Sequence, residues 1–217
     1  MYITSAFELR QSETYVLFLA DYLDDPNLVL KDRQTILHHA IARGFASLAF
    51  EFLSMGADPN GGHATTPWSP LQLSIQSGLM GLAQRLVKYG ADITVTIDDE
   101  TPLLFAAIEK SSLGLFCALL LRDASLSSMG YELETVYHRL CTIRVHGDPS
   151  FAEVAMEVFV QHGTGVNLRN KAGETPLMLA VKAKMLRLTG ILLKNKADPN
   201  IGDCLGARPL HYAQETE

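Results

Sequence analysis

The sequence predicts an all-α solenoid built from short helix pairs, and three observations support that prediction. Two short motifs recur along the 217 residues at nearly constant spacing. Between them, apolar residues recur with the period of a helix. No polar linker rich in proline, glycine or serine interrupts the phase, so we expect one domain rather than two. Helix pairs of this kind cannot cover their apolar faces alone and must stack on their neighbours.

The first motif is the tripeptide Asp-Pro-Asn, which begins at Asp25, Asp58 and Asp198. A degenerate copy begins at Asp92, and the interval from Asp58 to Asp92 nearly equals the interval from Asp25 to Asp58. Asp, Pro and Asn all favour turns. The motif therefore predicts a projecting hairpin after the second helix of each unit.

The second motif opens each unit, as in Thr35-Ile-Leu-His and Thr175-Pro-Leu-Met. A Thr at the first position is suited to cap a helix, and a Pro at the second fits its first turn. The predicted openings are at positions 35, 69, 101, 135, 175 and 208, which keep nearly equal intervals except for a longer one after 135. Within a unit, Gly44 and Gly78 predict the turn between two antiparallel helices, and Gly56 and Gly90 predict the end of the second helix.

These features resemble the ankyrin repeat, whose units of about 33 residues open with Thr-Pro-Leu-His-x-Ala. The resemblance covers roughly residues 14–213. It implies about five full helix–turn–helix repeats, an N-terminal capping helix and a partial C-terminal repeat within a single domain, residues 1–217. The predicted boundaries are a cap at 1–30, repeats at about 31–63, 64–97, 98–130, 131–170 and 171–203, and a partial repeat at 204–217.

Two repeats and both ends depart from the regular unit. The third repeat has one extra residue, which we place at Lys110–Ser112 between its helices. The fourth has about seven, near Thr142–Ser150, where Gly147-Asp148-Pro149 is typical of a loop. Residues 14–23 predict a second helix without its first, and Ala207–Ala213 opens a sixth unit that stops early. That stop fits either a short natural cap or a sequence cut from a longer protein.

The resemblance also implies a binding surface, the concave face formed by hairpin tips and the inner sides of the first helices. Transferred by position, it gives the partner-binding candidates Arg33, His39, Arg43, Trp68, Gln76, Asp98, Asp99, Glu100, Phe105, Glu109, Tyr131 and Arg139. Trp68 would either anchor a partner or fold against a hairpin, and Phe105 would either contact a partner or pack internally. The acidic tip Asp98-Asp99-Glu100 would either attract a basic segment or be a solvated turn.

Composition and motifs argue against nucleic-acid binding, membrane insertion and catalysis. The net charge of −6 disfavours nucleic-acid binding, and no apolar run is long enough to cross a membrane. The three cysteines, an odd number, predict reduced thiols in the cytoplasm or nucleus rather than disulfides. No phosphate loop, nucleophile elbow or zinc-protease motif is present. We therefore predict no enzyme activity, no cofactor and no metal.

Histidines recur at the fourth position of three openings, at His38, His138 and His211. The resemblance implies that they form hydrogen bonds within and between hairpins. His138, Cys141 and His146 do not complete a tetrahedral metal set.

The sequence thus predicts a monomeric protein–protein interaction module, an adaptor or scaffold. The alternative is the targeting or substrate-recognition module of a larger enzyme or regulatory protein whose activity lies outside this chain.

Overall fold

A computed structural model describes residues 25–30, 32–61, 68–98, 101–122, 134–143, 150–162 and 165–214. These residues form eleven α-helices, joined by loops that contain two isolated β-bridges. The chain divides into two compact units, residues 1–95 and 96–217, and each is described separately below. The helix expected at 14–23 lies outside the described residues, and the single domain stays a prediction.

The first unit contains two helix pairs. They are α1 (Ile36–Ala42) with α2 (Ala46–Ser54), and α3 (Pro70–Gln76) with α4 (Met80–Lys88). Each first helix packs on its own second helix, and α1 also packs on α3 while α2 packs on α4. Neighbouring pairs therefore lie side by side in chain order, with a shared apolar core that includes Leu37, Phe52 and Leu86.

The second unit continues the pattern with seven helices among its described residues. They are α5 (Leu103–Glu109), α6 (Leu113–Leu121), α7 (Val136–Thr142), α8 (Ser150–Val160), α9 (Pro176–Lys182), α10 (Leu186–Lys194) and α11 (Pro209–Gln214). First helices stack on first helices and second on second, from α5 through α7 and α9 to α11, and from α6 through α8 to α10. Helix α11 is the predicted opening of the sixth unit. Phe159 packs against Phe116 and Tyr137 in the core.

Buried hydroxyl groups cap most of the first helices, as the sequence predicts. Thr35, Ser69, Thr135 and Thr175 each accept a hydrogen bond from the backbone N–H three residues later. Each cap satisfies a donor that the first helical turn would otherwise leave unpaired, and losing one costs about 1 kcal/mol.

The first helix of the third repeat opens one residue later than we predicted. Pro102, not Thr101, is the N-cap of α5, and its bridge to Thr96 matches the bridge between Val29 and Thr35. Counted from Pro102, the interval back to Ser69 equals the interval forward to Thr135. The prediction was wrong because the letters Thr-Pro-Leu suggest a proline inside the first turn. A proline holds φ near −65°, which suits the cap as well, and here Pro102 has ψ 149°, in the extended region.

The register from Pro102 also removes the extra residue that we predicted in the third repeat. Helices α5 and α6 are separated by three residues, as are α1 and α2, so the insertion is not at Lys110–Ser112. In each regular repeat, the residue nine positions after the cap has positive φ, as do Gly44 (76°) and Ser111 (49°). Pro102 also follows Asp92 by as many positions as Thr35 follows Asp25, so the third repeat has no extra residue and that prediction was wrong.

The fourth repeat has the longer connection that the sequence predicts. The C-cap of α7, Ile143, is extended (φ −65°, ψ 123°), whereas the C-caps Arg43 and Ser77 are helical. Helix α8 begins only at Ser150 and has 11 residues, where α2 has 9. Residues 144–149, including Gly147-Asp148-Pro149, lie outside the described residues.

The Asp-Pro-Asn motif links consecutive repeats. Within each copy the aspartate accepts a hydrogen bond from the N–H two residues later, as Asp58 does from Asn60 at 2.9 Å. The Asn60 carboxamide then accepts from the N–H of Asp92 in the next repeat at 2.8 Å. Asn27 and Asn167 accept in the same way from the N–H groups of Asp58 and Asp198. The motif recurs because one asparagine satisfies backbone groups of its neighbour.

Candidate functional site

Within each of the two units, equivalent positions on the first helices place solvent-accessible side chains in a row. Counted from the N-cap, these are the residue before the cap, the fourth after it and the seventh after it, and we call the row the first-helix face. In the first unit its members are Gln34, His39, Ala42, Trp68, Leu73 and Gln76. In the second unit they are Thr101, Ala106, Glu109, Glu134, Arg139, Thr142, Glu174, Leu179, Lys182, Ala207 and Tyr212. All are exposed or half-buried except Ala106.

In the first unit, an imidazole on this face contacts a carboxylate at the adjacent hairpin tip. The Nε2 atom of His39 lies 2.9 Å from the Asp32 carboxylate, which also accepts the N–H of Gln34 at 3.1 Å. Arg33, beside Asp32, is exposed with φ 63°, and Arg43 is half-buried at the end of α1. The tip and the helix therefore present one continuous polar surface around His39.

The remaining candidates of the first unit lie on the second repeat. Trp68 immediately precedes the cap of α3 and is half-buried, so part of its ring surface is accessible. Gln76 is exposed at the last residue of α3. Both belong to the first-helix face, and their contact with a partner stays a prediction.

In the second unit, two of the predicted residues form an ion pair with each other. The guanidinium of Arg139 on α7 donates to the Glu109 carboxylate on α5, and it also lies 3.5 Å from Glu134. The three side chains retain 34%, 43% and 21% of their exposure, in the order Arg139, Glu109, Glu134. Exposed pairs of this kind contribute about 0.2–1 kcal/mol, so their main consequence is to order the side chains.

A second charged cluster extends the face to α11. The Lys182 ammonium donates to the Glu174 carboxylate and lies 3.8 Å from the centre of the Tyr212 ring. Tyr212 in turn donates its hydroxyl to Asp203. Burial opposes ionisation of Lys182 and Glu174, but the hydrogen bond and attraction between them outweigh it. The pKa of Glu174 is therefore lowered and the pKa of Lys182 is raised.

The two clusters follow one geometric rule. The seventh residue after a cap contacts the fourth residue after the next cap, as Glu109 contacts Arg139 and Lys182 contacts Tyr212. Sequence reasoning missed Glu134, which occupies the position of Trp68. The signal that would have found it is the repeat phase, since the residue before every cap belongs to the face.

The remaining predicted candidates are either buried, exposed at a hairpin tip or outside the described residues. Phe105 is only 4% exposed, so it packs internally and offers no surface to a partner. It lies three residues after Pro102, the position that His38 and His138 occupy with 1% and 0% exposure, so the register error explains its assignment. Asp98 is exposed. Asp99, Glu100 and Tyr131 lie outside the described residues.

The buried histidines have the structural role that the resemblance implies. The Nδ1 atom of His138 accepts the N–H of Thr135 at 3.1 Å, so Nε2 carries the proton and donates to the carbonyl of Glu174 at 3.0 Å. His138 thereby connects the fourth repeat to the fifth. Burial lowers its pKa, which favours the neutral ring. His38, which is also buried, lies 2.8 Å from the Thr35 hydroxyl. The exposed His211 accepts the N–H of Arg208 at 2.9 Å.

The remaining features of the described residues concern metal binding, membrane spans and the cysteines. Within them, no three or more His, Cys, Asp or Glu residues converge on a point where a metal ion would fit. None of the described helices has the length and apolar character to cross a membrane. All three cysteines are free, and burial raises the pKa of Cys141 to about 12, so its thiol stays protonated at neutral pH.

Sequence comparisons identify relatives of the same repeat class. A family model described as ankyrin repeats (3 copies) matches residues 146–217. Ankyrin repeat and SAM domain-containing protein 6 of Danio rerio is 27% identical over 67% of this chain and 19% of its own length. Two proteins of Fowlpox virus (strain NVSL), both named as ankyrin repeat proteins, are 27% and 24% identical over 76% and 82% of this chain. The chain spans 25% of the first viral protein and 90% of the second.

A solved structure supports the same conclusion for the fold. The ankyrin repeat domain of Bcl-3, described as a unique member of the IkappaB protein family, has a TM-score of 0.63 to this chain. It covers 84% of this chain and 81% of its own, at 22% identity. The resemblance to the ankyrin repeat is therefore confirmed by the match at residues 146–217 and by the likeness in fold, and the described residues have the all-α, ankyrin-repeat solenoid fold class that the sequence predicts.

Proposed function

We propose that this chain is a protein–protein interaction module that binds a peptide or folded partner through the first-helix face and the adjoining hairpin tips. Ankyrin repeats are generally an interaction fold. The observation that carries the proposal is the set of contacts between Glu109 and Arg139 and between Lys182 and Tyr212, which cross from one repeat to the next. Side chains ordered before binding lose less conformational entropy when a partner docks.

The charge around α5 and α7 favours a basic segment of the partner. Among the described residues of this part of the face and its tip, Asp98, Glu109 and Glu134 are acidic and only Arg139 is basic. An excess of carboxylates attracts lysine and arginine and disfavours other carboxylates. The tip that precedes α9 carries Arg169 and Lys171 instead, so the proposed site for a basic segment ends at the fourth repeat.

The first unit contributes polar and aromatic contacts to the same proposal. Its proposed contacts are all accessible to solvent. Arg33 and Gln76 are exposed, and His39, Arg43 and Trp68 are half-buried. An accessible tryptophan beside arginines is the composition in which interface energy tends to concentrate. The setting that we propose is a monomer in the cytoplasm or nucleus, with no nucleic acid and no cofactor.

A charge-reversal experiment tests the face. Partners are captured by crosslinking from the native cell and identified by mass spectrometry, and the binding segment of one is synthesised for calorimetry. We expect Glu109→Lys with Glu134→Lys to weaken binding about tenfold, which corresponds to about 1.4 kcal/mol, because two attractions become repulsions. The matched control is Glu51→Lys with Glu157→Lys, which changes net charge equally at exposed positions of the second helices α2 and α8. Equal losses in both variants, with unchanged thermal transitions, would remove the face from the proposal.

An alternative function is the targeting or substrate-recognition module of a larger enzyme or regulatory protein. It is favoured by the matches to two relatives of which this chain spans only 19% and 25%, one of them named for a second domain. An immunoblot of the native cell distinguishes the two. A native product near 23.8 kDa would remove the alternative, and a much larger one would support it.

A further inference from the structure

A groove of about 900 Å³ opens between the fourth and fifth repeats, where α7 and α9 end and α10 begins. Its apolar lining includes Ile143, Leu179, Met185 and Leu188. Leu186 lies at its edge with 84% of its surface exposed. An exposed leucine beside an apolar groove gives a partner a surface to cover, and covering it removes apolar area from water, which favours association.

The exposure of Leu186 is particular to this place in the fold. Met80, which likewise lies eleven residues after its cap in the first unit, is half-buried. The repeat before Met80 has a three-residue connection with a left-handed Gly44. The repeat before Leu186 has instead an extended Ile143 and a helix that starts only at Ser150. The irregular fourth repeat thus coincides with an open apolar groove.

The groove is positively charged, unlike the acidic part of the first-helix face around α5 and α7. Its charged lining residues are Lys182, Lys184 and Arg187 against Glu153. Because Lys182 pairs with Glu174 outside the lining, the cations exceed the carboxylates by one, in a chain whose net charge is −6. Arg187 is 80% exposed and donates to Glu153 at 2.7 Å, so both lie at the accessible rim. A local positive surface of this kind steers carboxylates toward the groove.

We propose that this groove binds a short segment of a partner protein that carries one or two large apolar side chains flanked by aspartate or glutamate. The apolar side chains pack on Met185 and Leu186, and the carboxylates lie near Lys184 and Arg187. This inference goes beyond the proposed function, because the first-helix face is proposed to take a basic segment around α5 and α7. The groove shares only Thr142, Leu179 and Lys182 with that face.

A peptide library displayed on phage, selected on the immobilised full chain, tests the proposal without knowledge of the natural partner. We expect enriched sequences with leucine, phenylalanine or similar side chains beside acidic residues. Synthetic copies, measured by fluorescence anisotropy, should bind at least tenfold more weakly to Leu186→Asp and to the double variant Lys184→Glu, Arg187→Glu. The matched control is Leu121→Asp, since Leu121 is also 84% exposed but lies at the end of α6, away from the groove lining.

Three outcomes would overturn the proposal. They are selected peptides that are basic, an absence of any enriched sequence, and equal binding to wild type and Leu186→Asp. Thermal transitions of all variants establish that each is folded. The variant Glu109→Lys, Glu134→Lys should bind these peptides like the wild type, so failure of the groove and failure of the first-helix face are distinguishable.

Discussion

The third and fourth repeats begin their first helices in opposite ways. The N-cap of helix α5 is Pro102, which makes no side-chain capping bond, and the position three residues later is the buried Phe105. The N-cap of helix α7 is Thr135, which forms a capping box, and the position three residues later is the buried His138. One start depends on apolar packing and a fixed φ, and the other on hydrogen bonds that also reach the next repeat.

The difference shows that stacking requires the first helices to begin at equivalent positions in each repeat. It does not require the same kind of side-chain interaction at those positions. Both helices are seven residues long, and they pack on each other. A phenylalanine at this position stabilises by apolar burial, which is insensitive to pH. A histidine at this position instead satisfies the carbonyl of Glu174 and makes stability depend on its protonation state.

The largest effect should come from removing the apolar start. Phe105→Ala leaves a cavity at a side chain that is 4% exposed, and we expect a loss of about 3–5 kcal/mol in the free energy of unfolding. Chemical denaturation measures it. Gln76→Ala, at an exposed first-helix position, is the control and should change stability little. A loss no larger than that of the control would mean that Phe105 is accessible after all and would restore it as a candidate partner contact.

Removing the polar start should cost somewhat less. His138→Ala creates a smaller cavity and leaves the Glu174 carbonyl without its donor, so we expect a loss of about 2–3 kcal/mol. His138→Gln sharpens the comparison, because Gln72 forms a capping box with Ser69 at the equivalent position of α3. It should keep the cap, lose the link to Glu174 and cost less than the alanine variant. Equal losses in the two variants would show that the link to the next repeat contributes most.

These two repeats also show how far sequence reasoning reaches. The spacing of the motifs predicts the helix pairs, the capping roles of Thr35 and Thr175 and the longer connection after Thr142. It failed at Pro102, because a proline fits both the cap and the first turn and letters alone do not distinguish them. That single-residue error turned Phe105 from a core residue into a candidate contact.

The pairing of the predicted site residues depends on how neighbouring helices pack. Both Glu109 and Arg139 were predicted as separate contacts, but their ion pair depends on how closely α5 and α7 stack, and the repeat spacing alone does not give that distance. The groove beside Leu186 likewise depends on where the irregular fourth repeat leaves apolar surface uncovered.

The polar start should also make the protein less stable in mild acid. Burial lowers the pKa of His138 below its ordinary 6.5 in the folded state. Below pH 6.5 the unfolded chain therefore binds a proton that the folded chain does not, so stability is full above that pH and falls as the pH decreases. Thermal unfolding between pH 7.5 and 5.5 measures this above the range of most carboxylates. His138→Gln should flatten the dependence, and an equally steep dependence in that variant would assign it to other groups.

A smaller gain should follow from relieving strain in the turn that ends the apolar first helix. Ser111 has φ 49°, a conformation that Gly44 and Gly78 occupy in the first unit without a Cβ penalty. We expect Ser111→Gly to raise the free energy of unfolding by about 0.5–1 kcal/mol, since relief of the left-handed strain exceeds the added freedom of the unfolded chain. Gly44→Ser is the reciprocal control and should lower it. A loss of stability in Ser111→Gly would show that the serine side chain contributes more than its backbone costs.

The smallest effect should be the ion pair that joins the two repeats on their accessible face. A double-mutant cycle with Glu109→Gln and Arg139→Met isolates the pair, and we expect a coupling energy of about 0.2–1 kcal/mol because both side chains are more than one-third solvated. The coupling should fall further in high salt, which screens exposed charges. Since Glu134 lies 3.5 Å from Arg139, the guanidinium keeps a carboxylate neighbour when Glu109 is neutralised. A coupling well above that range would mean that the pair stabilises the stack itself. A small coupling energy would fit side chains that contribute little to stability and are therefore able to contact a partner.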